Sequence, residues 1–112
     1  MIFVTGPLLA GKQSCICAAL GISPDEFARR AVRDVQELAA AAPDLPALAE
    51  ALSRREIVIA TEVGGGLVPT DPAERAAREA AGQLSCLLAE RADTVIRVCC
   101  GLPQVLKGHL PC

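Results

Sequence analysis

The chain has 112 residues, 52% of them hydrophobic, and Lys+Arg of 11 against Asp+Glu of 13 gives a net charge of −2. That hydrophobic content, with a mean hydropathy of +0.38, excludes a disordered segment. The length fits one domain spanning residues 1–112. A slightly acidic chain with two Phe and no Trp or Tyr lacks both a basic footprint and stacking platforms, so nucleic acid is not an expected partner.

The N-terminal stretch Met1–Gly6 has no basic n-region and breaks at Gly6, so no export leader is expected. No window approaches the roughly 18 uncharged apolar residues of a membrane span, and a cytoplasmic location is expected. The six cysteines are then expected as thiols. Cys15 and Cys17 lie in an apolar helical stretch, and Cys99 and Cys100 end an apolar strand, which reads as buried small hydrophobes. Convergence of Cys99, Cys100, His109 and Cys112 on a metal is the alternative. None of these spacings forms a CxxC pair, so no metal site is assigned.

Residues 2–5 (IFVT) read as a buried strand stopped by Gly6. A loop runs to Gly11, and a helix follows to Leu20, closed by Gly21. Ser23-Pro24-Asp25-Glu26 is a helix start, with Ser23 as cap, Pro24 at N1 and Glu26 reaching back as a capping box. Phe27, Ala31, Val32, Val35, Leu38 and Ala42 recur at helical spacing until Pro43, and Asp44–Arg55 reads as another helix. Residues 57–61 (IVIAT) form a second strand. Asp71-Pro72-Ala73-Glu74 repeats the capping box and opens a helix to about Arg91, with a buried stripe from Ala73 to Leu88. Residues 94–99 make a third strand, ending at Gly101-Leu102-Pro103. Apolar strands alternating with helices predict an α/β fold with a small, mainly parallel sheet of about three strands and helices on both faces.

Gly6-Pro7-Leu8-Leu9-Ala10-Gly11-Lys12 fits GxxxxGK between a predicted strand and helix, the context a phosphate loop requires. The glycines let the loop curl so that its N–H groups face phosphate oxygens, and Lys12 supplies a cation. The expected nucleotide site is Gly6 through Ser14, and the fold is expected to be of the P-loop NTPase type. The hydroxyl residue that usually follows the lysine and touches Mg²⁺ is replaced by Gln13. Ser14 comes one position later, about 100° further round the helix. Mg²⁺ binding is therefore expected to be weakened.

Two further stretches form a recognisable pattern with this loop. Ile57–Pro69, containing Glu62, Gly64, Gly66 and Pro69, resembles the "NEVGxGxVP" strand and loop of the adenosylcobinamide kinase/adenosylcobinamide-phosphate guanylyltransferase family, with Thr61 in place of Asn. Arg75, Arg78, Glu79 and Gly82, with Ser85 for Asn, resemble its following helix. Val98–Pro103 with Lys107 is similar to its closing "GLPxxxK" segment. The resemblance covers residues 1–20 and about 50–108. It implies GTP or ATP as nucleotide, adenosylcobinamide as substrate, a role in cobalamin biosynthesis and a trimeric homo-oligomer. In that family the segment between the first helix and the "EVG" strand carries a histidine that becomes guanylylated. Residues 21–55 contain no histidine here, so a shortened relative with at most the kinase step is expected.

Under that resemblance Lys12 holds the transferred phosphate and Glu62, at the carboxyl edge of the sheet, orients the attacking hydroxyl or takes its proton. Gly64, Gly66 and Pro69 belong to the substrate loop. Glu62 reads equally as a solvated loop acid. Arg75 and Arg78 could reach a phosphate, but Glu74 and Glu79 nearby favour a solvated helix face, and Arg29, Arg30 and Arg33 read as a solvated face too. The alternatives to a kinase are a non-catalytic nucleotide-binding protein and a structural partner of a full-length relative.

Overall fold

Strands rich in Val and Ile with no polar alternation must be covered on both faces, and a parallel sheet between helix layers does this. A computed structural model describes residues 1–8, 10–62 and 71–109. Its elements are β1 (Ile2–Gly6), α1 (Lys12–Leu20), α2 (Pro24–Arg30), β2 (Ala31–Val32), α3 (Gln36–Ala39), α4 (Leu45–Ser53), β3 (Ile57–Thr61), α5 (Pro72–Arg91), β4 (Thr94–Cys99) and β5 (Leu102–Lys107). One sheet of five strands runs in the order β2-β3-β1-β4-β5. β1 pairs in parallel with β3 and β4, and β2 with β3, while β5 runs antiparallel to β4.

Alternate residues of the central strands supply two cores. Phe3, Val58, Ala60 and Val95 face α3, α4 and α5 through Val35, Ala39, Ala49, Leu52, Ala81, Leu84 and Leu88. Val4, Ile57, Ile59, Ile96 and Val98 face α1 and α2 through Ile16 and Phe27. The helices start where the sequence marks them. Ser23 Oγ accepts from Glu26 N–H, Asp44 from Ala47 N–H and Asp71 from Ala73 N–H. Gly21 closes α1 in the left-handed conformation at φ 67°.

Several expectations need correction. The sheet has five strands rather than about three. The stretch from Phe27 to Ala42 is not one helix, because Ala31 and Val32 pair with Ile57 and Val58 of β3. Helical spacing and a short buried β-branched strand look alike over so few residues. Leu38, one of the apolar residues at helical spacing, is 46% exposed. Glu26 does not act as the second half of a capping box; its carboxylate accepts from Arg30 (3.2 Å). Ala73 is exposed, so the buried stripe of α5 begins later, with Ala81, Leu84 and Leu88 at its centre.

β5 continues beyond the predicted stop at Pro103, which is tolerated because β5 is an edge strand. Cys100 (φ 54°) and Gly101 (φ 73°) form the two-residue connection between β4 and β5. Positive φ at both positions is what a primed hairpin turn requires. Cys99 and Cys100 are therefore exposed, not buried. His109 lies at the other end of the hairpin, where its carbonyl accepts from Thr94 Oγ1 (3.2 Å) at the start of β4. The cysteine pair and the histidine thus sit at opposite edges of the sheet, which excludes the metal grouping considered for them. Cys112 is outside the described residues.

Candidate functional site

In this strand order the chain leaves β1 toward β2 and β3, then crosses back over β1 to β4. The carboxyl end of β1 is thus the switch point where open α/β sheets bind ligands. The GxxxxGK loop occupies that position, with Gly6 ending β1 and Gly11 capping α1. Gly6, at φ +153°, lies so close to β4 that an added Cβ would stand 2.1 Å from the Val98 carbonyl oxygen. Gly11 takes φ 83°, a left-handed value that glycine adopts freely.

The hairpin turn after β4 buttresses the loop. Gly101 N–H donates to the Ala10 carbonyl (2.7 Å), and the two glycines Gly11 and Gly101 meet closely. At the far end of β5, Lys107 Nζ donates to the Ala89 and Glu90 carbonyls (3.1 and 3.0 Å). It thereby satisfies carbonyls of the last turn of α5, where a cation also suits the helix dipole. The closing Gly-Leu-Pro…Lys segment therefore acts here as a brace between the loop and α5.

Lys12 is buried, and its Nζ donates to the carbonyls of Pro7 (2.8 Å) and Gly6 (3.3 Å). Burial pushes its ammonium below the ordinary lysine value, while the carboxylates of Asp34 and Glu62 push it back up. A cavity of about 320 Å³ opens beside it, lined by Lys12, Gln13, Ser14, Arg33, Asp34 and Thr61 among others. Pro7, Leu8 and Ala10 lie in the same loop. Leu9, Gly64, Gly66 and Pro69 lie outside the described residues. A separate groove of about 660 Å³ between α4 and α5 is lined mostly by apolar groups such as Leu45 and Leu87 and lies away from this chemistry.

Glu62 follows β3, and its N–H donates to the Gly6 carbonyl (2.8 Å), which fixes it beside the start of the loop. Its carboxylate is not simply solvated. Arg97 of β4 grips both oxygens, Nε to Oε1 at 2.5 Å and Nη2 to Oε2 at 3.0 Å. That fork holds the Glu62 carboxyl below the usual carboxylate range, with Lys12 adding to the effect. The stability it contributes is present above the ordinary carboxylate pKa and fades as pH falls through the lowered one. Arg97→Gln should move the Glu62 titration, followed by side-chain carbon NMR, upward toward the ordinary range. The same Glu62 midpoint in both proteins would show that the pair does not form in solution.

Sequence reasoning missed Arg97, although a lone arginine within the apolar run of residues 94–99 is itself a signal. It also read Arg30 and Arg33 as solvated. Arg33 is exposed as expected, though its guanidinium N–H also donates to Gln13 Oε1, while the half-buried Arg30 bonds Glu56 at the foot of β3 as well as Glu26. Arg78 does bond Glu74 along α5 (3.5 Å), as a helix-face pair should. Gln36 Oε1 accepts from Thr61 N–H (2.9 Å), completing the edge of β3 beyond the two-residue β2.

A mostly parallel sheet between helix layers, with a GxxxxGK loop at its switch point, defines a protein of the P-loop NTPase type. The sequence model of the cobinamide kinase / cobinamide phosphate guanyltransferase family matches residues 4–106. The chain belongs to that family, which ties it to cobalamin biosynthesis and to nucleotide and cobinamide substrates. No individual curated protein matches it.

Proposed function

We propose that this chain binds the phosphates of GTP or ATP in the Gly6–Ser14 loop and retains at most the kinase step of its family. The observation that carries the reading is Lys12, buried at the carboxyl end of β1 beside a cavity whose mixed lining includes Gln13, Ser14, Arg33 and Asp34. In the transfer, the hydroxyl oxygen of the aminopropanol arm of adenosylcobinamide forms a bond to the γ-phosphorus. The bond from γ-phosphorus to the β,γ-bridging oxygen breaks, and the hydroxyl proton leaves to solvent. Lys12 compensates the charge on the transferred group. Glu62, held ionised by Arg97, is a weak base but a good acceptor, so its role is to orient the hydroxyl. Homo-oligomer formation belongs to the same reading and is supported by the exposed apolar edge strand β5, with Leu102, Val105 and Leu106 outward.

Among the described residues lining the cavity, Asp34 is the single carboxylate and two cations, Lys12 and Arg33, stand beside it, a poor match for Mg²⁺, which demands several hard oxygen ligands in near-octahedral geometry. Gln13 replaces the hydroxyl and gives its amide oxygen to Arg33, and the Glu62 carboxylate is paired with Arg97. The same facts favour a second reading, a nucleotide-binding protein without turnover. Incubation with adenosylcobinamide and γ-labelled GTP or ATP separates the two. Labelled adenosylcobinamide phosphate is the expected product, and nucleotide binding without it supports the second reading.

Guanylyl transfer needs an imidazole beside the α-phosphate. His109 is the single histidine, and its carbonyl is tied to Thr94, the partner of Ile2 at the opposite end of β1 from the loop. At about 3.3 Å per strand residue this places it on the order of 13 Å from Gly6. Incubation with α-labelled GTP, followed by denaturing electrophoresis and intact mass, should therefore show no covalent GMP adduct. A GMP-sized mass increase lost in His109→Ala would overturn this.

A further inference from the structure

We infer that Arg33 stands in for the divalent cation of this phosphate site, so that the site takes a metal-free nucleoside polyphosphate. The inference rests on the phosphate-loop reading above. Arg33 follows β2, whose last residue, Val32, pairs with Val58. Asp34 then takes a left-handed φ of 55°, and Val35 returns to donate to the Ile59 carbonyl (3.3 Å). This turn sets Arg33 at the carboxyl edge of the sheet beside the first turn of α1. There its guanidinium donates to Gln13 Oε1, the side chain that replaces the hydroxyl ligand, and it lines the same cavity as Lys12.

The charges around that cavity favour an anion over a divalent cation. Lys12 and Arg33 bring two positive charges and Asp34 one negative, while Glu62 is held in its fork with Arg97. A divalent ion near Gln13 would meet a guanidinium at close range. A phosphate would meet two cations and the N-terminus of α1. Guanidinium has five donors in a rigid plane, so Arg33 can keep its bond to Gln13 and still donate to phosphate oxygens.

Calorimetric titration of the full chain with GTP, ATP and pyrophosphate, in EDTA and in excess Mg²⁺, tests this. The parent protein should bind in EDTA within about threefold of its affinity in Mg²⁺, and Arg33→Ala should lose roughly tenfold or more in EDTA. Arg33→Lys, which keeps the charge but not the fork, should fall between them. A parent affinity that drops tenfold or more in EDTA overturns the inference, even if the variants fail to fold. So does an Arg33→Ala protein, with an unaltered circular dichroism spectrum, that binds as the parent does. Lys12→Ala is the control for the underlying reading: if it binds as tightly as the parent, the phosphate loop itself fails, whatever the result at Arg33.

Discussion

Lys12→Ala should lower the affinity for GTP and ATP by about a hundredfold, because the loop N–H groups remain while the only loop cation is gone. In the free protein the ammonium bonds the carbonyls of Gly6 and Pro7, so it already sits at the mouth of the loop. Phosphate oxygens compete for the same donors without moving the backbone. The pH dependence has a definite sign. Burial holds the Lys12 ammonium below the ordinary lysine value of 10.5, with Asp34 and Glu62 opposing. Nucleotide affinity should therefore decline at an alkaline pH below 10.5, and that limb should vanish in Lys12→Ala. Calorimetric titration across pH checks both statements. Equal affinity in mutant and parent would remove the phosphate-loop assignment.

Gly6→Ala should destabilise the fold by about 3 kcal/mol or more, a large share of the roughly 5–15 kcal/mol that holds a small domain together. The new methyl would stand 2.1 Å from the Val98 carbonyl oxygen and 3.2 Å from its carbon, and the backbone has φ +153°. The obstacle is backbone rather than a flexible side chain, so β1 and β4 must part to admit it. Their separation would disturb the central pairing of the sheet and both cores that it divides. Gly82→Ala, within α5 with nothing near its added Cβ, is the matched control. It should stabilise by about 0.5–1 kcal/mol. Urea unfolding of the three proteins decides the matter, and a Gly6→Ala midpoint equal to the parent's would refute the close approach of β1 to β4.

Much of this arrangement is legible along the chain because its causes are local. Ser23, Asp44 and Asp71 cap helices that begin one residue later, and Gly21 ends α1. β1, β3 and β4 announce themselves as mainly apolar runs, with Arg97 the one charged residue among them, and GxxxxGK between strand and helix needs only neighbouring residues to be read. The Glu-Val-Gly stretch and the closing Gly-Leu-Pro stretch carry the family resemblance in the same way.

The rest depends on partners far apart in sequence. Ala31 and Val32 satisfy a helical period as well as a strand, and only β3, 26 positions on, decides between them. Pro103 reads as a stop until β4 offers it an edge position where no ladder donor is needed. Glu62 meets Arg97 across 35 positions, and Gln13 meets Arg33 across 20. Periodicity and capping record what a residue does to its own backbone. The charges that tune this site are set by which strand ends the sheet order brings to one edge, and that order is a property of the folded whole.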